Sequence, residues 1–189
     1  ELIHEDISGI KIGLQYITQR SPEEIRELSK FKKPIFYDGK FFDIKNTLVE
    51  SVKSLKNLNI NYATVHLLNG LDALKTANQA AQEINVNLLG VSVLTSLSDE
   101  DLESLGFRDK VGDQVKRLIQ IAMEANLHGV ICSPIEIKMI KKIAPKLKCF
   151  TPGIRMDNTK DDQKRTMSAN EAIKEGSDCL IIGRPITKG

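Results

Sequence analysis

Two carboxylates and an ammonium group follow an apolar run and are the first residues that could do chemistry. The run at residues 35–37 leads directly into Asp38, Lys40 and Asp43. On an extended strand, side chains two positions apart share a face, so Asp38 and Lys40 are predicted to point the same way, with Asp43 one step beyond. Such flanking carboxylates would stabilise the positive charge of a buried lysine. The alternative is a β-hairpin, because Asp-Gly between apolar runs is also a strong turn signal.

The composition is typical of a globular protein whose net charge is close to zero. The 189 residues are 41% hydrophobic and 28% charged, and we expect residues 1–189 to form a single domain. The 27 basic and 25 acidic residues leave a formal charge of +2, which predicts neither a nucleic acid nor a membrane as partner. No apolar run approaches the ~20 residues of a membrane span, and no signal peptide is recognisable. We therefore expect a soluble, cytoplasmic protein.

The cysteines and histidines do not show the spacing of a metal site or a disulfide framework. Cys132, Cys149 and Cys179 each lie in an apolar segment, which predicts buried thiols in a reducing compartment. His66 follows a strand-like segment and could line a pocket mouth, although a structural role is favoured. We predict no metal site.

Short β-rich segments alternate with amphipathic helical patterns along the chain. The predicted strands are Gly9–Gly13, Pro34–Asp38, Tyr62–His66, Leu88–Leu94, Gly129–Cys132, Cys149–Thr151 and Cys179–Ile182. The predicted helices include Asn46–Leu58, Gly70–Ile84, Asp113–Ala125, Pro134–Ile143 and Asn170–Glu175. This alternation predicts an α/β fold with parallel strands and crossover helices.

Four segments together resemble the signature segments of the orotidine 5′-phosphate decarboxylase family. After the Asp38 cluster come Val93–Ser96, Thr151–Arg155 with Asp161–Arg165, and Ile182–Thr187, in the family's order. The resemblance implies a (β/α)8 TIM barrel, whose sites lie at the carboxyl ends of the strands. In that family a first strand precedes the Lys11 segment and a helix closes the barrel. Strand 1 and the last helix are therefore expected to be absent from this chain.

The resemblance also implies a reaction and a set of site residues. The reaction is decarboxylation of orotidine 5′-monophosphate to uridine 5′-monophosphate (UMP), the last step of de novo pyrimidine biosynthesis, and it uses no cofactor. Lys40 would stabilise the carbanion at C6 and donate the proton, while Asp38 would lie against the departing carboxylate. The implied catalytic residues are Lys11, Asp38, Lys40 and Asp43. The implied substrate-binding residues are Lys11, Asp38, Thr47, Thr95, Ser96, Arg155, Gln163, Gly183 and Arg184.

Part of this implied site would come from a second subunit. In the resembled family Asp43 and Thr47 belong to the neighbouring chain, so the resemblance implies a homodimer with a shared active site. Thr95 and Ser96 would bind the pyrimidine edge.

Two features of the sequence indicate where the phosphate group of the substrate would bind. Gly183 and Arg184 follow an apolar run, where backbone N–H groups and a guanidinium could bind a phosphate. The polar stretch from Arg155 to Arg165 shows no strand pattern, and a loop of that length is usually functional. By resemblance it is a lid, in which Gln163 bridges phosphate and pyrimidine and Arg155 lies near the phosphate.

Three departures from the family pattern keep alternatives open. The chain has Gly39, Phe42 and Lys45 where the family usually has Leu, His and Pro, and Gly39 would loosen the strand between the two key charges. One alternative is a related barrel that acts on a sugar phosphate, of the 3-keto-gulonate 6-phosphate decarboxylase or hexulose-phosphate synthase type. The other is a non-catalytic nucleotide-binding barrel.

Overall fold

A computed structural model describes residues 5–155, 167–183 and 186 of the chain. The chain divides into two compact units, Glu1–Leu89 and Gly90–Gly189. Strands and helices alternate in both units, which confirms the predicted α/β class. None of the helices within the described residues is long and apolar enough to cross a membrane.

The first unit carries the Asp38 cluster on a parallel sheet. Its strands are β1 (Ile10–Gly13), β2 (Ile35–Phe41), β3 (Tyr62–His66) and β4 (Asn87–Val91), in that order in the sheet, with β4 running across the boundary of the unit. Its helices are α1 (Leu14–Gln19), α2 (Pro22–Glu27), α3 (Lys45–Lys53) and α4 (Leu71–Glu83), with 3₁₀ turns at Leu28–Phe31, Ser54–Asn57 and Leu67–Asn69.

Local sequence explains where these elements begin and how they pack. Ser21 and Glu24 form a capping box at the start of α2, where Pro22 occupies the first helical position. The apolar face of α3 buries Leu48 and Val52 completely. These contacts anchor the helix that follows the Asp38 cluster and so fix the loop at residues 42–44.

The second unit repeats the alternation. Its helices are α5 (Asp99–Ser104), α6 (Val111–Glu124), α7 (Ile137–Ile143) and α8 (Ala169–Lys174), with a 3₁₀ turn at Pro134–Glu136. The strands β5 (Gly129–Ile131), β6 (Lys148–Thr151) and β9 (Cys179–Leu180) are neighbours in that order, and β7 (Ile154–Arg155) pairs with β8 (Met167–Ser168) in a separate two-stranded sheet. Cys132 and Cys149 are buried as predicted, Cys179 is half-buried, and all three are free thiols.

Three strand predictions were wrong in their bounds by more than one residue, and one of them, Cys179–Ile182, ends at Leu180. β2 continues past Asp38 to Phe41, because it goes on pairing with β3 beyond an irregularity in the register. The predicted strand Leu88–Leu94 ends at Val91, and its last residue instead begins a turn in which the Leu97 N–H donates to the Leu94 carbonyl at 2.9 Å. The hairpin alternative at Asp38-Gly39 is also wrong, since β2 pairs in parallel with both β1 and β3.

Candidate active site

The Asp38 carboxylate lies between two ammonium groups. Asp38 is opposite Gly13 in the register of β1 and β2, which places Lys11, two residues earlier in β1, on its flank. Lys11 Nζ donates to Asp38 Oδ2 at 3.0 Å, and Lys40 Nζ donates to Asp38 Oδ1 at 2.9 Å. The predicted contact between Asp38 and Lys40 is therefore present, and Lys11 joins it from the neighbouring strand.

Exposure differs between the carboxylate and its two partners. The Asp38 side chain is only 13% exposed, whereas those of Lys11 and Lys40 are 32% and 33% exposed. Both lysine side chains are thus partly exposed, whereas the carboxylate side chain between them is mostly buried. Burial raises the pKa of Asp38, but the charges of Lys11 and Lys40 and their hydrogen bonds outweigh this effect, so the pKa lies below its usual value. The cluster is an ionised carboxylate that holds two cations.

The backbone at Lys40 leaves the regular strand conformation. Its φ is +48°, in the left-handed region that residues other than glycine rarely adopt. In the pairing of β2 with β3, Tyr37 is opposite Ala63 and Phe41 is opposite Val65, so four steps along β2 match two along β3. The Lys40 N–H leaves this ladder and donates to the Thr64 hydroxyl at 2.8 Å. The irregularity turns Lys40 back toward Asp38.

Asp43 lies in the loop between β2 and α3. Among the described residues Asp43 makes no ion pair with Lys40, and its Oδ1 instead accepts the N–H of Ile44 at 2.7 Å. The Asp43 N–H donates to Asn69 Oδ1 at 3.1 Å. Asp43 and Thr47, which lies in the first turns of α3, are both exposed.

His66 has a structural contact in the first unit. Its Nδ1 accepts the N–H of Leu68 at 3.3 Å, and its ring packs against that of Phe42 with centroids 5.4 Å apart. Burial, and then the charge of Lys40, lower the pKa of His66. A neutral imidazole that accepts a backbone hydrogen bond agrees with the favoured structural role.

The other predicted site residues lie in the second unit or outside the described residues. Thr95 and Ser96 are in the turn after β4, half-buried and exposed respectively. Arg155 is the last residue of β7, and Gly183, three residues after β9, is exposed. Gln163 and Arg184 lie outside the described residues.

Two residues of the first unit were missed by the sequence analysis. Thr64 contacts both Lys40 and Asp38, and Asn69 holds the loop that carries Asp43. The Asn69 amide group donates to the carbonyls of Phe41 and His66, at 2.9 and 2.7 Å. Thr64 is a hydroxyl residue within an apolar strand, which indicates a buried hydrogen bond. Asn69 precedes a glycine, which indicates a turn. Neither pattern predicts which groups these side chains contact.

Among the described residues, no group of three or more His, Cys, Asp or Glu could hold a metal ion. An ammonium group fixed by a carboxylate can stabilise a developing anion and donate a proton to it.

Comparison with known proteins shows the family to which the chain is similar. The family model described as "Orotidine 5'-phosphate decarboxylase / HUMPS family" matches residues 1–189. The orotidine 5'-phosphate decarboxylase of Wolbachia pipientis subsp. Culex pipiens (strain wPip) is 40% identical over 98% of this chain and 83% of its own length. That of Lawsonia intracellularis (strain PHE/MN1-00) is 37% identical over 99% of this chain and 84% of its own length.

The fold agrees with the sequence matches. The crystal structure of orotidine 5'-phosphate decarboxylase from Lactobacillus acidophilus superposes with a TM-score of 0.83 and 31% identity, covering 95% of this chain and 79% of that one. The predicted fold class is confirmed by this match. The full-length family match, the identities to these relatives and the shared fold together show that the chain belongs to the orotidine 5'-phosphate decarboxylase / HUMPS family.

Proposed function

We propose that this protein decarboxylates orotidine 5′-monophosphate to UMP and CO2, without a cofactor. The observation that carries the proposal is the mostly buried Asp38 carboxylate held between Lys11 and Lys40, whose side chains are both partly exposed. Relatives 40% and 37% identical over nearly the whole chain carry the name of this enzyme, which supports the same reaction here.

Lys40 is the proposed acid. When the bond between C6 and the carboxyl group breaks, its electron pair stays on C6 and CO2 leaves. The Lys40 ammonium stabilises that carbanion and transfers one proton to C6, and the resulting amine regains a proton from water. Asp38 fixes the position of this ammonium before the reaction, and lies against the departing carboxylate.

The remaining substrate contacts are proposals carried by the resemblance. Thr95 and Ser96 are proposed to bind the pyrimidine edge, and Lys11 the ribose end of the substrate. Gly183 and Arg184 are proposed to bind the phosphate, with Gln163 and Arg155 covering it. Energy gained from binding at the remote phosphate can then be used at the reacting carbon.

We also propose a homodimer in which Asp43 and Thr47 complete the partner's site. The residues beside Asp43 support this, because Phe42 is 61% exposed and Ile44 is 74% exposed. Large apolar side chains that flank an exposed carboxylate are typical of an interface.

A cytoplasmic location is proposed from the three free thiols, which suit a reducing compartment.

The experiment that tests this function is turnover by the purified full chain in the presence of a metal chelator. We expect UMP and CO2 from orotidine 5′-monophosphate at the same rate with and without the chelator. Absence of UMP, with metal-dependent turnover of 3-keto-gulonate 6-phosphate or a hexulose phosphate, would favour the sugar-phosphate alternative. Tight UMP binding without any turnover would favour the non-catalytic barrel.

A further inference from the structure

Thr64 is a fully buried hydroxyl among apolar neighbours. It lies in the middle of β3, between Ala63 and Val65, and all three residues have no exposed surface. A buried hydroxyl without partners would be costly, so its hydrogen bonds show what it does. Both of its partners belong to the proposed active site.

The first partner is the backbone of Lys40. Thr64 Oγ1 accepts the Lys40 N–H at 2.8 Å, at the point where the pairing between β2 and β3 loses its regular register. The left-handed φ of Lys40 persists only if its surroundings hold it, since that conformation is unfavourable for lysine. The hydroxyl provides this support.

The second partner is the Asp38 carboxylate. The Thr64 hydroxyl donates to Asp38 Oδ1 at 3.1 Å, the same oxygen that accepts the Lys40 ammonium at 2.9 Å. A hydroxyl has one proton to donate and lone pairs to accept with, so both bonds form at once. The backbone and the ammonium of Lys40 are therefore linked through one hydroxyl and one carboxylate.

We propose that Thr64 is a positioning residue, whose single hydroxyl fixes both the Lys40 backbone and the Asp38 carboxylate and thereby aims the Lys40 ammonium at the reacting carbon. This inference rests on the proposed function for its effect on rate, but not for its effect on Asp38.

The test compares Thr64→Val, which removes the hydroxyl and keeps the shape, with Thr64→Ser, which keeps the hydroxyl. For Thr64→Val we expect kcat with orotidine 5′-monophosphate to fall roughly tenfold to a hundredfold, the usual cost of hydrogen bonds to a charged group. KM should change less than kcat, because Thr64 touches no substrate group itself and positions the Lys40 ammonium, whose proposed role is in the reaction step. Thr64→Ser should restore kcat to within about threefold of wild type.

A second readout does not depend on turnover. The Asp38 carboxyl, followed by NMR, should titrate at a higher pH in Thr64→Val, because the ionised carboxylate loses a hydrogen bond. The matched control is Thr76→Val in α4, which also removes a threonine hydroxyl hydrogen bond, here to the Asp72 carbonyl, and should shift neither kcat nor the titration.

Three results would overturn the inference. They are a Thr64→Val protein with wild-type kcat, a Thr64→Ser protein as impaired as Thr64→Val, and an unchanged Asp38 titration in a folded Thr64→Val protein. If wild type does not turn over orotidine 5′-monophosphate, the proposed function fails, and the titration alone decides the role of Thr64.

Discussion

The rings of Tyr37 and Phe41 stack with centroids 5.7 Å apart and planes at 25°, next to the backbone of Gly39. A Cβ atom added at Gly39 would stand 2.7 Å from Tyr37 Cε1 and 3.5 Å from Phe41 Cε1. The resembled family usually has leucine at this position. In this chain the Tyr37 ring occupies the space that such a side chain would need, so any larger residue at position 39 requires the ring to move.

A Gly39→Ala substitution should therefore destabilise the protein. The new methyl group forces the Tyr37 ring to move, and overpacking of this kind costs about 1–3 kcal/mol. Urea unfolding should show this loss, and a Gly39→Ala/Tyr37→Leu double variant should show a smaller loss than the two single variants added together. Equal or greater stability of Gly39→Ala alone would show that the ring yields without cost.

The class of the fold and the core of the site could be predicted from local sequence. Alternating strand and helix patterns indicated parallel pairing, and the spacing of Asp38 and Lys40 predicted that they meet. The predicted contact between Asp38 and Lys40 is present, but the predicted regular strand at Lys40 is not. The backbone of Lys40 has a left-handed φ, and the contact forms in that conformation.

Contacts between distant segments could not be predicted in this way. Lys11 reaches Asp38 only through the register of β1 and β2, and the sequence indicated this by resemblance alone. Thr64 lies 26 residues from Asp38, so the residues around Thr64 do not predict the hydrogen bond between them. The overlong prediction Leu88–Leu94 has a similar cause, since apolar residues after a strand look the same whether they pair or turn.

Replacing Lys11 by methionine should change the pH dependence of activity. The pKa of Asp38 lies below its usual value, partly because of Lys11, so the carboxylate stays ionised until the pH falls through that lowered pKa. Without the Lys11 charge the pKa rises, and the acid limb of kcat/KM should move to higher pH, together with a loss of roughly tenfold to a hundredfold in rate.

The control for this measurement is Lys53→Met, which removes a lysine from a surface pair with Glu50 in the same unit. Its acid limb should coincide with that of wild type. An acid limb that stays in place in Lys11→Met would show that the Asp38 carboxylate does not control it.

Asp178 should make the stability of the protein depend on acid pH. Burial raises the pKa of Asp178, but hydrogen bonds from Lys141, from the Cys149 backbone N–H and from Lys148 outweigh it and lower the pKa to about 2. A lowered pKa means that this stabilisation is complete above the usual value of 3.8 and is lost as the pH falls toward 2.

Thermal or urea unfolding of Asp178→Asn should show a loss of about 1–3 kcal/mol near pH 7 that disappears as the pH falls through this range. Asp113→Asn, which breaks an exposed pair with Lys116, should leave the stability nearly unchanged. A deficit of Asp178→Asn that persists at the lowest pH would indicate lost packing and not lost charge.

Mixed dimers should reveal the proposed sharing of the site. Lys40→Ala and Asp43→Asn homodimers are each expected to be nearly inactive. In a two-fold dimer a residue donated in one direction is donated in the other as well, so a mixed dimer has one site with both lesions and one with neither. Random assembly makes about half the dimers mixed, and activity should recover to roughly a quarter of wild type. No recovery despite proven subunit exchange would place Asp43 in its own subunit's site.

The most direct test of the whole account is single-turnover formation of UMP by Lys40→Ala, with binding of UMP measured on the same sample. Loss of the proposed acid and of its charge should slow product formation by roughly 10⁴-fold or more, while UMP still binds, because the phosphate and pyrimidine contacts are assigned to other residues. Near-normal product formation by a folded Lys40→Ala protein would contradict the account.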